Sequence, residues 1–305
     1  MRVSSLYNSN AMMAQLSRNG DRLSKLMEQM ATQKRVNVPS DDPIAATRLV
    51  QINREQSAIK QYQSNITRIS GTLAIQESHV TAVSNQLLSL NDKLLSAANG
   101  THSQQDMSGY GAEIDSMIDS LVASMNAQNE NGSYLFSGTK TGTKPVQWDE
   151  ASGKYVYAGN DSSRETTVAN GVNITENTNI VGAFSSGGND LDTLNQLKAL
   201  SEKMKDPSIP VESYQDDITN VLGSVKTTRD NVSGIFTDLG GRQNRLTMLD
   251  DAHSDVSMAN DLVVHDLSDT DWATTSYDLT LYTNSIQISN KAYSMISSLS
   301  LFSMM

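Results

Sequence analysis

Aliphatic side chains recur at strict seven-residue intervals at Ile52, Ile59, Ile66, Leu73, Val80, Leu87 and Leu94. No proline falls between Ile44 and Lys144, and Gly71 is the only glycine between Ile44 and Ala98. A seven-residue apolar repeat held this long predicts a helix that packs against another helix along its whole length. At about 1.5 Å per residue, Pro43 to Ala98 predicts a rod of roughly 80 Å. A second seam repeats at the same interval through Val211, Ile218, Val225, Val232, Leu239 and Leu246. Tyr214, Val221, Ile235, Leu249, Val256 and Val263 fill most of its other core register. Gly223, Gly234, Gly240 and Gly241 weaken this helix, each by about 1 kcal/mol relative to Ala, and a bend is expected near Gly240. Two rods of similar length and patterning predict an antiparallel pair.

The remaining periodicity divides the chain further. Residues 1–36 predict a helix with Leu6, Met13, Leu16, Leu23, Met27 and Met30 on one face. The segment Val38-Pro39-Ser40-Asp41-Asp42-Pro43 then breaks it. Pro43 suits a first helical position and Asp42 suits its N-cap. Asn99-Gly100 ends the rod, and a third helix is expected from Gln104 to Asn129. From Gly132 to Phe184 turn residues multiply. Val146–Trp148 and Tyr155–Tyr157 predict one hairpin; Thr166–Val168 and Val172–Ile174 predict another around Asn170-Gly171. Ser185 to Asn189 is expected as a linker and Asp190 to Lys205 as a short helix. The last helix is expected from Ser268 to Ser303, with Trp272, Tyr277, Leu281, Ile288, Met295 and Leu299 spaced for a buried stripe, and Phe302 in an apolar tip.

The fold class expected is mainly α: long antiparallel helical rods with heptad seams from both halves of the chain, plus a small central β-rich insertion. Five segments follow: 1–36 and 266–305 as terminal assembly helices, 37–131 as rod and third helix, 132–189 as β insertion, and 190–265 as returning rod. Two lone terminal helices packed together are marginal, so they are expected to order only when copies assemble.

Composition agrees with thin helical seams. Only 5% of the 305 residues are aromatic and 37% hydrophobic. With 23 Lys and Arg against 34 Asp and Glu, the chain lacks the basic balance of a nucleic-acid binder. No cysteine is present, so disulfides and thiolate metal sites are excluded. No apolar run approaches a membrane span, and Met1 to Ser40 has no signal-peptide core. Charge is uneven: residues 1–60 carry nine basic and five acidic groups, residues 242–305 three basic and eight acidic ones.

Candidate chemistry is sparse. His253 lies near Asp250, Asp251 and Asp255, but it falls on the helix seam while the aspartates mostly point elsewhere. Gly138–Lys144 has the wrong spacing for a phosphate loop. Asp41-Asp42 and Asp216-Asp217 read as caps and first-turn acids. No nucleophile–base constellation is visible, so neither catalysis nor a cofactor nor a metal is expected.

Several motifs carry a family resemblance. They are Ala31–Val36, then Pro39, Ser40, Asp41, Asp42 and Pro43, then Gly132–Thr139 at the opening of the β region. Gly241–Leu246, with Arg242 and Asn244, and the terminal Ser298–Phe302 complete the set. Over essentially its whole length the chain resembles the flagellin-like proteins of bacteria, and among them the hook–filament junction proteins. Gln33 departs from the pattern, where the family has glycine. The resemblance implies a structural adaptor joining a hook-side junction protein to flagellin, in a ring of its own copies. It implies terminal helices (Leu6, Met13, Leu16, Leu23, Met27; Tyr277, Leu281, Ile288, Met295, Leu299, Phe302) that form the assembly interface. It further implies export through the flagellar type III apparatus, with an export chaperone on Asp250–Met305. Neither nucleic acid nor membrane insertion is implied. The rival readings are a filament flagellin and, in another class, a cytoplasmic signalling coiled coil.

Overall fold

The computed structural model describes residues 2–99, 102–185 and 190–302; the side chains of 2–6, 8 and 296–302 lie outside that description. Leu6, Leu299, Phe302, Gly100 and most of the expected 185–189 linker therefore fall outside it. The elements are α1 (Arg2–Thr32), α2 (Pro43–Ala98), α3 (Gln104–Met125), β1 (Val146–Asp149), β2 (Lys154–Tyr157), β3 (Glu165–Ala169), β4 (Val172–Thr175), α4 (Val181–Phe184), α5 (Asp192–Lys205), α6 (Gln215–Ser268) and α7 (Trp272–Phe302). A single 3-10 turn, Val211–Tyr214, leads into α6. The chain forms two compact units, 60–253 and 1–59 with 254–305; α2 and α6 each contribute to both.

In the unit of residues 60–253, the heptad positions make the core. Ile66, Leu73, Val80, Leu87 and Leu94 of α2 are buried with Ile218, Val225, Val232, Leu239 and Leu246 of α6. Met107, Ile114, Ile118, Leu121 and Met125 of α3 join them in one contiguous cluster. α2 and α6 run antiparallel. Tyr62 stacks on His253 at 5.4 Å, while Ser70 Oγ donates to Gln243 Oε1 at 2.9 Å and Gln243 Nε2 donates back to Ser70 O at 3.0 Å. α6 runs as one helix, Gln215–Ser268, through Gly223, Gly234, Gly240 and Gly241. Its seam side chains are held by α2, and that packing outweighs the poor helix propensity of four glycines.

α3 is shorter than its periodicity predicts. Asn126 leaves the helix because its side chain is taken by β1: Nδ2 donates to Val146 O at 3.0 Å and Oδ1 accepts from Val146 N at 2.8 Å. At its start, Ser103 and Asp106 form a reciprocal capping box. α3 lies close against α5. A Cβ at Gly111 would stand 2.9 Å from Ser201 O, so only glycine permits this approach.

The two expected hairpins form. β1 pairs with β2 in the register Val146↔Tyr157, Gln147↔Val156 and Trp148↔Tyr155. β3 pairs with β4 across Asn170-Gly171, with a bulge between Thr167 and Ala169.

In the unit of residues 1–59 and 254–305, Ala45, Ile52 and Ile59 are buried. Val256 and Val263, placed in a core register by spacing, are partly exposed, because one helix face has no partner here. α1 packs against α7. Their seam is thin and partly polar: Asn19, itself buried, donates to Ser285 Oγ at 3.2 Å, and Arg22 lies 5.6 Å over the Tyr282 ring. Leu16 and Leu23 are half-buried. The expected α7 stripe is not buried within the chain: Tyr277, Leu281, Ile288 and Met295 are 68%, 47%, 68% and 59% exposed. A pair of helices can cover only one stripe of each, and here α7 offers α1 the side containing Leu279, Tyr282 and Ile286.

Candidate assembly site

The linker carrying the Pro39–Pro43 motif is folded by its two aspartates. Asp41 accepts from the backbone amides of Asn37 (3.0 Å) and Val38 (3.1 Å) and pairs with Lys25 at 2.7 Å. The hydrogen bond from Lys25, followed by those amides, holds its carboxyl down at about 2. Asp42 caps α2 by accepting from Ala45 N at 3.0 Å, and it pairs with Arg35 at 3.1 Å. That amide first, then Arg35, keeps its carboxyl below the ordinary range.

Arg35 ties this linker to the one between α6 and α7. Its backbone N–H donates to Ser268 O at 2.7 Å and its guanidinium to Leu267 O at 2.8 Å. Thr270 N–H donates to Gln33 O at 3.2 Å, and Lys34 pairs with Asp269 as a β-bridge. Gln33 sits at φ 60, in the left-handed region that favours glycine. The glycine expected at this position from the motif would suit that backbone. Sequence reasoning missed this paired linker, since its partners lie more than two hundred residues apart.

The other motif residues brace the β region. Arg242 Nη1 donates to Thr175 O at 3.2 Å and Asn177 O at 3.0 Å, and the side chain pairs with Asp238. Asn244 is exposed. Glu176 receives Arg68 at 2.7 Å. Burial pushes its carboxyl up, but the bonds from Arg68 and Thr166 outweigh that, and it sits below the ordinary range. Phe136 is buried, and Tyr157 Oη donates to Phe136 O at 3.0 Å. Burial, then Asp161, pushes the Tyr157 phenol up to about 12. His253 is used structurally: its Nε2–H donates to Val168 O at 2.8 Å while the ring stacks on Tyr62. Among the described residues no group of three metal-ligating side chains exists, and no helix is long and apolar enough to cross a membrane.

What remains available for chemistry is surface. α7 exposes Tyr277, Leu281, Ile288 and Met295, and an open groove of about 490 Å³ lies along that face, lined by Tyr277, Leu281 and Ile288 with polar neighbours. α1 exposes Met13 and Met27. A contiguous apolar stripe left open to water marks a contact surface.

Similarity to known proteins follows the same lines. Residues 3–141 match the bacterial flagellin N-terminal helical region. The chain is 30% identical over 291 residues to flagellar hook-associated protein 3 of Escherichia coli (strain K12), covering 91% of both. It is 28% identical over 293 residues to the protein of the same name in Salmonella typhimurium, again with 91% of both covered. A solved flagellar hook-associated protein from Vibrio parahaemolyticus superposes with a TM-score of 0.68 at 41% identity, covering 75% of this chain and 100% of that one. By this full-length likeness, the chain belongs to the flagellar hook-associated protein 3 family, structural components of the bacterial flagellum.

Proposed function

We propose that the chain is an adaptor between the hook side of the flagellum and the flagellin filament, working as a ring of its own copies. The observation that carries this reading is the exposed apolar stripe of α7, Tyr277, Leu281, Ile288 and Met295. A stripe of that size needs a cover, and the thin seam with α1 does not supply one. In this reading the assembly interface comprises Leu6, Met13, Leu16, Leu23 and Met27 with Tyr277, Leu281, Ile288, Met295, Leu299 and Phe302. The first hook–filament junction protein contacts one side of the ring and flagellin the other. The buried seam from Ile66 to Leu94, against Ile218 to Leu246, gives each copy the stiffness that transmits torque.

The chain leaves the cell through the flagellar type III apparatus, and an export chaperone holds Asp250–Met305 before assembly. The weak α1–α7 seam suits such a route, because helices that order only on assembly cost little to unfold before it. No reaction is assigned: the motif carboxylates are committed to caps and ion pairs. Deleting the gene in its host tests the adaptor role. Flagellin shed as monomer, with hooks bare of filament, supports it. Normal filaments overturn it and favour a signalling coiled coil.

A further inference from the structure

The β1–β2 hairpin carries an aromatic pair at the rim of the core. Side chains alternate along a strand, so Val146, Trp148, Tyr155 and Tyr157 share one face. Val146 and Tyr157 are buried, while in the next pair outward Tyr155 is half-buried and Trp148 is 42% exposed. The Trp148 and Tyr155 ring centroids lie 4.9 Å apart with their planes at 70°, so the two rings form a corner. Asn195 fixes that corner from α5: its Oδ1 accepts from Tyr155 N at 2.6 Å and its Nδ2 donates to Tyr155 O at 3.1 Å. The charge near the corner is negative. Burial first, then Asp119 and Asp115 of α3, pushes the Tyr155 phenol up. Asp115 is committed to Lys198, Lys205 and Ser201. Asp119 is exposed and has no hydrogen bond or ion pair among the described residues, and the Tyr155 phenol has no hydrogen-bond partner among them. Lys154, on the opposite face of the hairpin, is held by Asp190 at 3.0 Å.

We propose that the Trp148–Tyr155 corner, with the Asp119 carboxylate beside it, binds a small quaternary ammonium group of the choline class. The face of an aromatic ring attracts a cation within about 6 Å of its centroid, and Trp does so most strongly. Two rings set in a corner offer two such faces to one ligand. A quaternary ammonium spreads its charge over methyl groups and donates no hydrogen bond, so it suits ring faces better than a hydrated primary amine. An anion would find Lys154, Lys198 and Lys205 already paired. A neutral apolar ligand would gain nothing from Asp119. Strand pairing and Asn195 hold the rings in place before the ligand arrives, so binding orders little of the chain. The site is small and open, which sets the expected dissociation constant at about 1 mM. It lies apart from α1 and α7 and is independent of the ring reading above.

The chain has two tryptophans, so Trp272→Phe leaves Trp148 as the sole indole reporter in the full-length protein. Titration with choline chloride, against sodium chloride of equal ionic strength, is expected to give a saturable change in its emission. The carbon isostere of choline, in which carbon replaces the quaternary nitrogen, is expected to bind roughly tenfold more weakly or worse. Calorimetry of the chain without that change is expected to show the same difference, with binding weakened about threefold in Asp119→Asn and lost in Trp148→Leu. Asp119→Asn alters only an exposed side chain, so its result stands even where Trp148→Leu disturbs the hairpin. Co-sedimentation with phosphatidylcholine vesicles separates two sources of the group. Retention displaced by free choline assigns a lipid headgroup; choline binding without retention assigns a free molecule. Equal binding of choline and its carbon isostere overturns the proposal, because the corner is then only an apolar patch. So does the absence of any saturable change up to about 50 mM choline, or undiminished affinity in both Asp119→Asn and Trp148→Leu.

Discussion

The separation between a buried seam and an open stripe can be tested with one substitution on each. Ile66 is 4% exposed and belongs to the α2 seam; Leu281 is 47% exposed on α7. Ile66→Asp removes a packed aliphatic side chain, which costs about 2–5 kcal/mol. It also leaves a carboxyl group in an apolar layer with Ile69 and Leu73, adding about 1–3 kcal/mol for an unsatisfied polar group. A total of about 4 kcal/mol or more is expected, and at about 2–4 °C per kcal/mol the melting temperature falls by roughly 10 °C or more. Leu281→Asp changes a side chain already in water and stays within about 0.5 kcal/mol. Circular dichroism melts of the free protein read the first effect. Filament counts in a complemented deletion strain read the second, where Leu281→Asp is expected to fail despite normal stability. Equal loss of monomer helicity in both variants would refute the distinction, as would full assembly of Leu281→Asp.

Gly138→Ala places a Cβ 2.0 Å from Asn160 O at φ +69, so the turn must open. The left-handed backbone costs about 1–2 kcal/mol, and losing the Thr139 N–H to Asn160 Oδ1 bond about 1 kcal/mol more; a thermal melt checks the sum. Arg242→Ala releases Thr175 O and Asn177 O, at a cost of about 2 kcal/mol, and faster amide exchange in β3 and β4 with unchanged helicity is expected. Acid should loosen the linker of residues 33–42. The folded Asp41 carboxyl lies below its free value, so its contribution is complete above 3.8 and is lost as pH falls toward about 2. The Asp42 carboxyl is lowered in the same direction. Lys25→Met removes the leading cause for Asp41, and a flatter acid limb in tryptic cleavage of that linker is the expected readout.

Periodic information was the part legible in the chain. A seven-residue repeat says which side chains share a face, and Ile66 through Leu94 are indeed buried together with their counterparts on α6. Asn170-Gly171 marked the β3–β4 turn because few residues accept its backbone, but not the bulge at Val168, which depends on where Ile174 and Thr167 find partners. Periodicity does not say whether a second helix is present. Val256, Val263 and the Tyr277–Met295 stripe have the same spacing as the buried seam and lie open. The paired linkers and the grip of Arg242 on the β region were invisible for a different reason. Both join residues far apart in sequence through backbone carbonyls, which carry no residue-type signal. Motif resemblance pointed to Pro39–Pro43 and Arg242 as important; only geometry gives them the work of folding a linker and bracing a hairpin.

The central claim is a position in the flagellum, and electron microscopy of host flagella labelled with antibody to this chain tests it most directly. A single band of label where hook meets filament is the result expected. Label spread along the whole filament would make the chain a flagellin, and its confinement to the cytoplasm would contradict the adaptor role.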